Sequence, residues 1–232
     1  MRNHNAQMVG HPKATWGIIE GNPVHEEIRE VASLTNPAFI LNVSLNRHRQ
    51  ITGVFAGEMK AAHAAGVDFV RRTAMRPVPH LYDVVVSTNC GYPLDINLYQ
   101  AVKGMCAAAE VIKPGGSIVL AAECAEGAGQ THFGAMLKMR SSPKELLEMI
   151  ARPGFCMADQ WGVQLQAKVL TKSRVYLHSA TLGDGETRAL HLEPCHDVSE
   201  MLAEMVAQHR RSGAEPSICV LPEGFATIPY VG

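Results

Sequence analysis

Apolar and polar positions along this chain fall into two textures. Beyond about residue 80, short unbroken apolar runs alternate with longer amphipathic stretches. Val84-Val85-Val86 and Ile118-Val119-Leu120 are continuous, as strands buried on both faces require. The pattern predicts strands at about 83–88, 117–122, 174–179 and 217–221, with helices at about 95–112, 143–151, 159–172 and 197–211. Alternation of this kind predicts an α/β fold, an open and mainly parallel sheet with helices on both faces.

The first 75 residues read differently, as a smaller α+β segment. Gly21-Asn22-Pro23 opens a helix to about Ser33, because proline at the first turn needs no amide hydrogen and Glu26 and Glu27 suit a helix N-terminus. Phe39–Leu45 and Ile51–Phe55 flank the polar Asn46-Arg47-His48-Arg49, which predicts a β-hairpin. An alanine-rich helix follows over about 58–72. The paired prolines of Arg76-Pro77-Val78-Pro79-His80 disfavour regular structure and predict a linker. The expected division is 1–75 and 76–232.

Composition narrows the class. Of 232 residues, 47% are apolar, an ordinary globular share, and 21 basic residues nearly balance 22 acidic ones. A net charge of −1 argues against a nucleic-acid or membrane-surface role, since both draw on a concentrated basic field. The six cysteines are scattered without a C-x-x-C pair, which fits reduced thiols. Met1 is followed by polar Arg2-Asn3-His4-Asn5 and not by an apolar leader, and no run nears the roughly 20 apolar residues that span a bilayer. A soluble, cytoplasmic protein is expected.

Chemistry is sought beyond the carboxyl ends of the parallel strands, where such sheets bind ligands. Two loops fall there, Asn89–Pro93 and Glu123–Gln130. The first leads into a helix carrying Gln100 and Lys103, three residues apart and so on one face. An amide and an ammonium can converge there on a small carboxylate, and the helix dipole is expected to assist. Gln and Lys on a helix are also ordinary solvated residues. Asp95 and Asn97 read as helix caps, Gly127 and Gly129 as a flexible loop, and Lys113–Gly116 as a helix stop before a strand. Trp161 suits a packed core as well as a site wall. His4 alone makes no metal site. The other histidines lack ligand spacing, and most of them read as surface or capping residues.

The string Gly91-Tyr92-Pro93-x-Asp95-x-Asn97-x-Tyr99-Gln100-x-x-Lys103 resembles the C-terminal domain of the nickel-dependent lactate racemase family. Matches in order along the chain include Asn3-His4 with Met8, Gly21-Asn22-Pro23, Asn42 before Asn46, Ala56-Gly57 with Ala62-His63, Lys113-Pro114-Gly115-Gly116 and Gln160-Trp161. The resemblance implies racemisation of 2-hydroxy acids such as lactate by reversible hydride transfer to a nickel pincer derived from nicotinic acid. It implies that His4 ligates nickel, that Gln100 and Lys103 contact the substrate carboxylate, and that Trp161 lies near pincer and substrate.

The departures shape the expectation equally. The family's Gly-Gly-x-Lys-Ser segment, whose lysine carries the cofactor, is absent, as are its paired acid–base histidines and a substrate-anchoring arginine. The chain therefore resembles a C-terminal portion of a two-domain racemase. Residues 1–75 would be the tail of the N-terminal catalytic domain, the missing domain would be a partner, and the chain alone should be inactive and should not hold nickel tightly. A non-catalytic α/β domain binding a small carboxylate is the alternative. A Rossmann-type methyltransferase is disfavoured, because no early glycine-rich loop follows the first strand.

Overall fold

The computed structural model describes residues 3–232, which separate at Arg76/Pro77 into two compact units. The first holds α1 (Ala6–Gly10), α2 (Pro23–Leu34), β1 (Ile40–Leu45), β2 (Ile51–Gly57) and α3 (Met59–Ala74). Asn22 caps α2 by accepting from Val24 N at 3.1 Å and His25 N at 3.3 Å, with Pro23 at the first turn. β1 and β2 form the expected antiparallel hairpin, closed where Asn46 N donates to Gln50 O at 3.0 Å. The hairpin packs on α3, and the Phe55 and Phe69 rings meet at 5.4 Å. Among the described residues of this unit, Val9 and Ala62 are the only buried hydrophobics.

β3 (Met75–Val78) spans the boundary, and the second unit continues with β4 (Tyr82–Thr88), α4 (Leu98–Val111), β5 (Ile112–Ala121), α5 (Thr131–Leu137), α6 (Pro143–Ile150) and α7 (Gln160–Lys172). It ends with β6 (Arg174–His178), α8 (Asp184–Ala189), β7 (Glu193–Pro194), α9 (Val198–Arg211), β8 (Ile218–Leu221), a 3-10 turn (Gly224–Ala226) and β9 (Ile228–Val231). Five strands make one parallel sheet in the order β7-β6-β5-β4-β8. The chain starts at β4, steps outward to β7, then returns to lay β8 on the other side of β4. The strand order therefore reverses at β4, the place where open α/β sheets form a ligand crevice. Val84 and Val119 pack with Met205 of α9 on one face, while Ser87 turns to α4 on the other, its hydroxyl donating to Gly104 O at 2.9 Å. Helices cover both faces, as the continuous apolar runs demand.

Three local expectations change. The Arg76–His80 linker is in part the strand β3, which pairs with β9, and Gly232 N donates to Val78 O at 3.2 Å. Proline is tolerated there because an edge strand leaves some amides unpaired. Lys113–Gly116 is not a helix stop but an irregularity inside β5, absorbed between the pairs Tyr82↔Ile112 and Val84↔Ser117. His178 is an internal tie and not a surface residue, its Nδ1 bonding Cys195 O at 3.0 Å, whereas His191 Nε2 bonds the last carbonyl of α5, Leu137 O, at 2.8 Å, in keeping with a capping role. Among the described residues no helix is long and apolar enough to cross a membrane.

One ionic knot sets the entry to the sheet. Asp83 accepts from Lys113 Nζ at 2.8 Å, and from Ser217 N at 2.8 Å and Ser217 Oγ at 2.7 Å, joining β4 to the chain entering β5 and β8. Burial alone would raise this carboxyl, but the hydrogen bonds from Lys113 and Ser217 and the lysine charge hold it well below the usual carboxylate range. A depressed folded pKa stabilises the fold above the unfolded carboxyl pKa and is lost as pH falls through the folded value. We expect Asp83→Asn to cost about 1–2 kcal/mol at pH 7, discounted for the half-exposed lysine. Urea unfolding should show the difference shrinking as the pH is lowered below about 4. An equal loss at pH 7 and pH 3 would rule out the carboxylate as its source.

Candidate functional site

The loop leaving β4 sits at the sheet's point of reversal, and its conformation is heavily determined. Cys90 and Gly91 both take positive φ, 66° and 72°. Buried Asn89 then ties loop to helix: its amide nitrogen donates to Leu94 O, and its oxygen accepts from Gly104 N at 3.0 Å. A Cβ on Gly104 would lie 2.4 Å from Thr88 O, so only glycine lets α4 approach β4 this closely. Asn97 is the helix cap, accepting from Gln100 N at 3.1 Å. Asp95 is not a cap, because its carboxylate accepts from Glu123 N at 3.1 Å across the two loops.

The second loop has a structural duty unlike the flexible one expected. Gly127 O accepts from Leu98 N at 3.0 Å and Ala128 O from Tyr99 N at 3.2 Å. With Asn97 taking Gln100 N and Ala101 N, the leading donors of α4 are occupied. That overturns the expectation of dipole assistance, since an anion needs free N–H groups at the helix start. Any anion here must be held by side chains.

Gln100 and Lys103 are the polar side chains on this helix face. Lys103 Nζ donates to Gln100 Oε1 at 2.7 Å and lies 5.0 Å from the centroid of the Phe225 ring. A lysine can only donate, so the amide presents its oxygen to the ammonium and keeps its NH₂ for another acceptor. Two further ammonium hydrogens remain. Among the described residues no carboxylate pairs with Lys103, which is half-buried between a neutral amide and a ring. An ammonium so placed can still donate to an oxyanion.

Phe225 is held in place by its own turn. Thr88 Oγ1 donates to Pro222 O at 2.8 Å, and a Cβ on Gly224 would lie 2.7 Å from Thr88 O, so the turn after β8 rests on the end of β4. On the other side, the Tyr99 ring meets Trp161 edge-on at 5.3 Å and Phe133 at 5.4 Å. Trp161, at the start of α7, thus reaches the helix of Gln100 and Lys103 through Tyr99. Burial, then the charge and hydrogen bond of Asp159, raise the Tyr99 phenol, which stays protonated at neutral pH. Burial, then the Asp95 charge, push the Cys124 thiol up to about 12, so it is no thiolate nucleophile.

His4 belongs to the first unit, in a turn ahead of α1, where its neighbour Asn3 donates to Val24 O at 3.1 Å and Glu27 Oε2 at 2.8 Å. Among the described residues no group of three or more His, Cys, Asp or Glu side chains could hold a metal. Tyr99 and Phe225 extend the set named from sequence. Tyr99 stood inside the informative string, whereas nothing in the order of residues pointed to Phe225.

A family model described as the lactate racemase C-terminal domain matches residues 79–229. The chain belongs to this family. It is 36% identical over 230 residues to the lactate racemase of Lactiplantibacillus plantarum, and 33% over 235 to that of Thermoanaerobacterium thermosaccharolyticum. Each match takes in 98% of the chain and 53% of the relative, so the chain spans about half the length of these lactate racemases. The solved lactate racemase apoprotein of the second organism superposes with a TM-score of 0.91 over 98% of this chain and 54% of that one. A Thermotoga maritima protein at 14% identity and a TM-score of 0.65 shares the fold alone.

Proposed function

We propose that the chain is the C-terminal portion of a nickel-pincer-dependent lactate racemase and that Gln100 and Lys103 hold the carboxylate of a 2-hydroxy acid. The observation that carries this reading is the half-buried Lys103 ammonium, set against an amide and a ring and, among the described residues, left without a carboxylate. Two substrate oxygens would take the remaining ammonium hydrogens and the Gln100 NH₂. Trp161 and Tyr99 would form an apolar wall beside them, fixing the substrate's orientation and keeping water out. Holding a substrate in line this way contributes several kcal/mol to catalysis.

The reaction would interconvert D- and L-lactate by reversible hydride transfer to the cofactor. The nickel pincer does not fit the residues present here, since His4 is a single candidate ligand and, among the described residues, no metal-binding cluster accompanies it. No chemical step is therefore assigned to this chain. The cofactor lysine, the acid–base pair and the substrate arginine would come from the N-terminal half, and residues 1–75 would be the end of that catalytic domain. Six free cysteines fit a reducing, cytoplasmic setting.

The test uses the chain alone and the chain fused behind the N-terminal half of the Thermoanaerobacterium enzyme. The fused, nickel-loaded protein is expected to racemise lactate and the chain alone to bind L-lactate weakly, at about millimolar Kd, without turnover. Turnover by the chain alone would refute the division of labour. Carboxylate binding with no racemisation by the loaded fusion would favour a non-catalytic binding domain.

A further inference from the structure

Lys103 and Phe225 come from distant parts of the chain, yet one strand end sets the distance between them. Gly104, next to Lys103, and Gly224, next to Phe225, both pack on the Thr88 carbonyl. A Cβ would stand 2.4 Å from Thr88 O at the first and 2.7 Å at the second. No side chain fits at either position without lifting its element from β4. Hydrogen bonds tie down the same two elements. Ser87 Oγ donates to Gly104 O at 2.9 Å, and Thr88 Oγ1 donates to Pro222 O at 2.8 Å. Ser87 also stands beside Leu221 in the parallel register, and Ala226 N closes the turn on Glu223 O at 2.9 Å. Helix and turn are thus referred to one pair of residues, and the ammonium lies over the ring at 5.0 Å.

We infer that Phe225 is a positioning residue of the carboxylate site, acting through Lys103 to make the site select a negative charge. The inference rests on the proposed function of Lys103. A carboxylate in the place of this ring would attract the ammonium but also accept its hydrogens. An aromatic face attracts a cation through its quadrupole and takes no conventional hydrogen bond. Lys103 therefore has an electrostatic partner while two of its three hydrogens stay available, the third going to Gln100 Oε1 at 2.7 Å. The half-buried ring also covers one side of the ammonium and narrows the directions in which it can donate. Because the ring leaves the full positive charge in place, an anion is favoured over a neutral group of the same shape. Phe225 touches Lys103 and not the substrate in this scheme, so its effect falls on binding.

The experiment titrates L-lactate and lactamide into the chain by NMR and compares Phe225→Leu, which keeps apolar bulk without a ring, with Phe225→Tyr, which keeps the ring. The leucine variant should raise the Kd for lactate by about 3- to 10-fold, and the tyrosine variant should stay within about 2-fold of the parent. Lactamide has the same shape and no charge, and its binding should respond to neither substitution. The upfield ring-current shift of the Lys103 ε-methylene protons should vanish with leucine and persist with tyrosine. In the nickel-loaded fusion the leucine variant should raise KM with little change in kcat, as loss of an interaction equal in ground and transition states does. A leucine variant that binds lactate as the parent does overturns the inference. So does a loss that tyrosine fails to restore, or one that lactamide shares. No lactate binding by the parent chain removes the clamp and the inference together. Turnover is read separately: ring-dependent binding without racemisation leaves the inference standing and removes the racemase reading, and racemisation indifferent to residue 225 does the reverse.

Discussion

Replacing Lys103 by alanine in the loaded fusion enzyme is expected to lower kcat/KM for lactate by about 100- to 1000-fold, with nickel content unchanged. The magnitude follows from the local balance of partners. A charge-assisted hydrogen bond contributes roughly 1.5–3 kcal/mol, and removing it also leaves the substrate carboxylate desolvated. The helix start cannot compensate, because Leu98, Tyr99 and Gln100 amides are already bonded to Gly127 O, Ala128 O and the Asn97 side chain. Gln100→Ala should cost about 10-fold, as the loss of one neutral donor would. Lys103→Arg keeps the charge but replaces a compact ammonium with a wide fork beside Phe225, so recovery should be partial. Steady-state kinetics with parallel nickel analysis decides the matter. Unchanged kcat/KM in Lys103→Ala would remove the clamp from the site, and loss of nickel in step with activity would reassign Lys103 to cofactor retention.

Gly104→Ala should destabilise the protein, although glycine to alanine inside a helix ordinarily stabilises by about 1 kcal/mol. The sign reverses because the new Cβ would stand 2.4 Å from Thr88 O, and a backbone atom cannot swing aside. α4 must lift from β4, straining the Asn89–Gly104 and Ser87–Gly104 hydrogen bonds at 3.0 Å and 2.9 Å. Overpacking of this kind costs about 1–3 kcal/mol beyond the helix gain, lowering Tm by roughly 2–12 °C for a unit of this size. Lys103 is the preceding residue, so lactate binding should weaken together with stability. Thermal unfolding and a lactate titration of the same sample check both. A variant as stable as the parent protein would show that the close approach of α4 to β4 is unimportant.

Much of the parallel sheet was legible because its strands are buried on both faces. Val84–Val86 and Ile118–Leu120 announce this without any partner in view, and strands β4, β5, β6 and β8 fall where expected, with β5 beginning earlier. The elements missed are those whose reason lies elsewhere in the chain. β7 has two residues and exists through its pairing with β6, β9 exists through β3, and α5 presents Phe133 to Tyr99 of α4. The string around Gln100 and Lys103 was legible for another reason. A spacing of three places two side chains together on any helix, and their 2.7 Å contact needs no other element.

By itself, the order of residues determined an α/β unit with a carboxylate-sized pair of polar groups on one helix, and its family. Periodicity and i,i+3 spacing are local properties, and local properties survive without a fold. Tertiary structure decided what surrounds that pair. It placed Phe225 from the turn after β8 against Lys103 and used up the amides of α4 on the Gly127–Ala128 carbonyls. These depend on strand order and on which groups find partners across long stretches of chain, and a backbone donor's partner is not written in the residue that carries it.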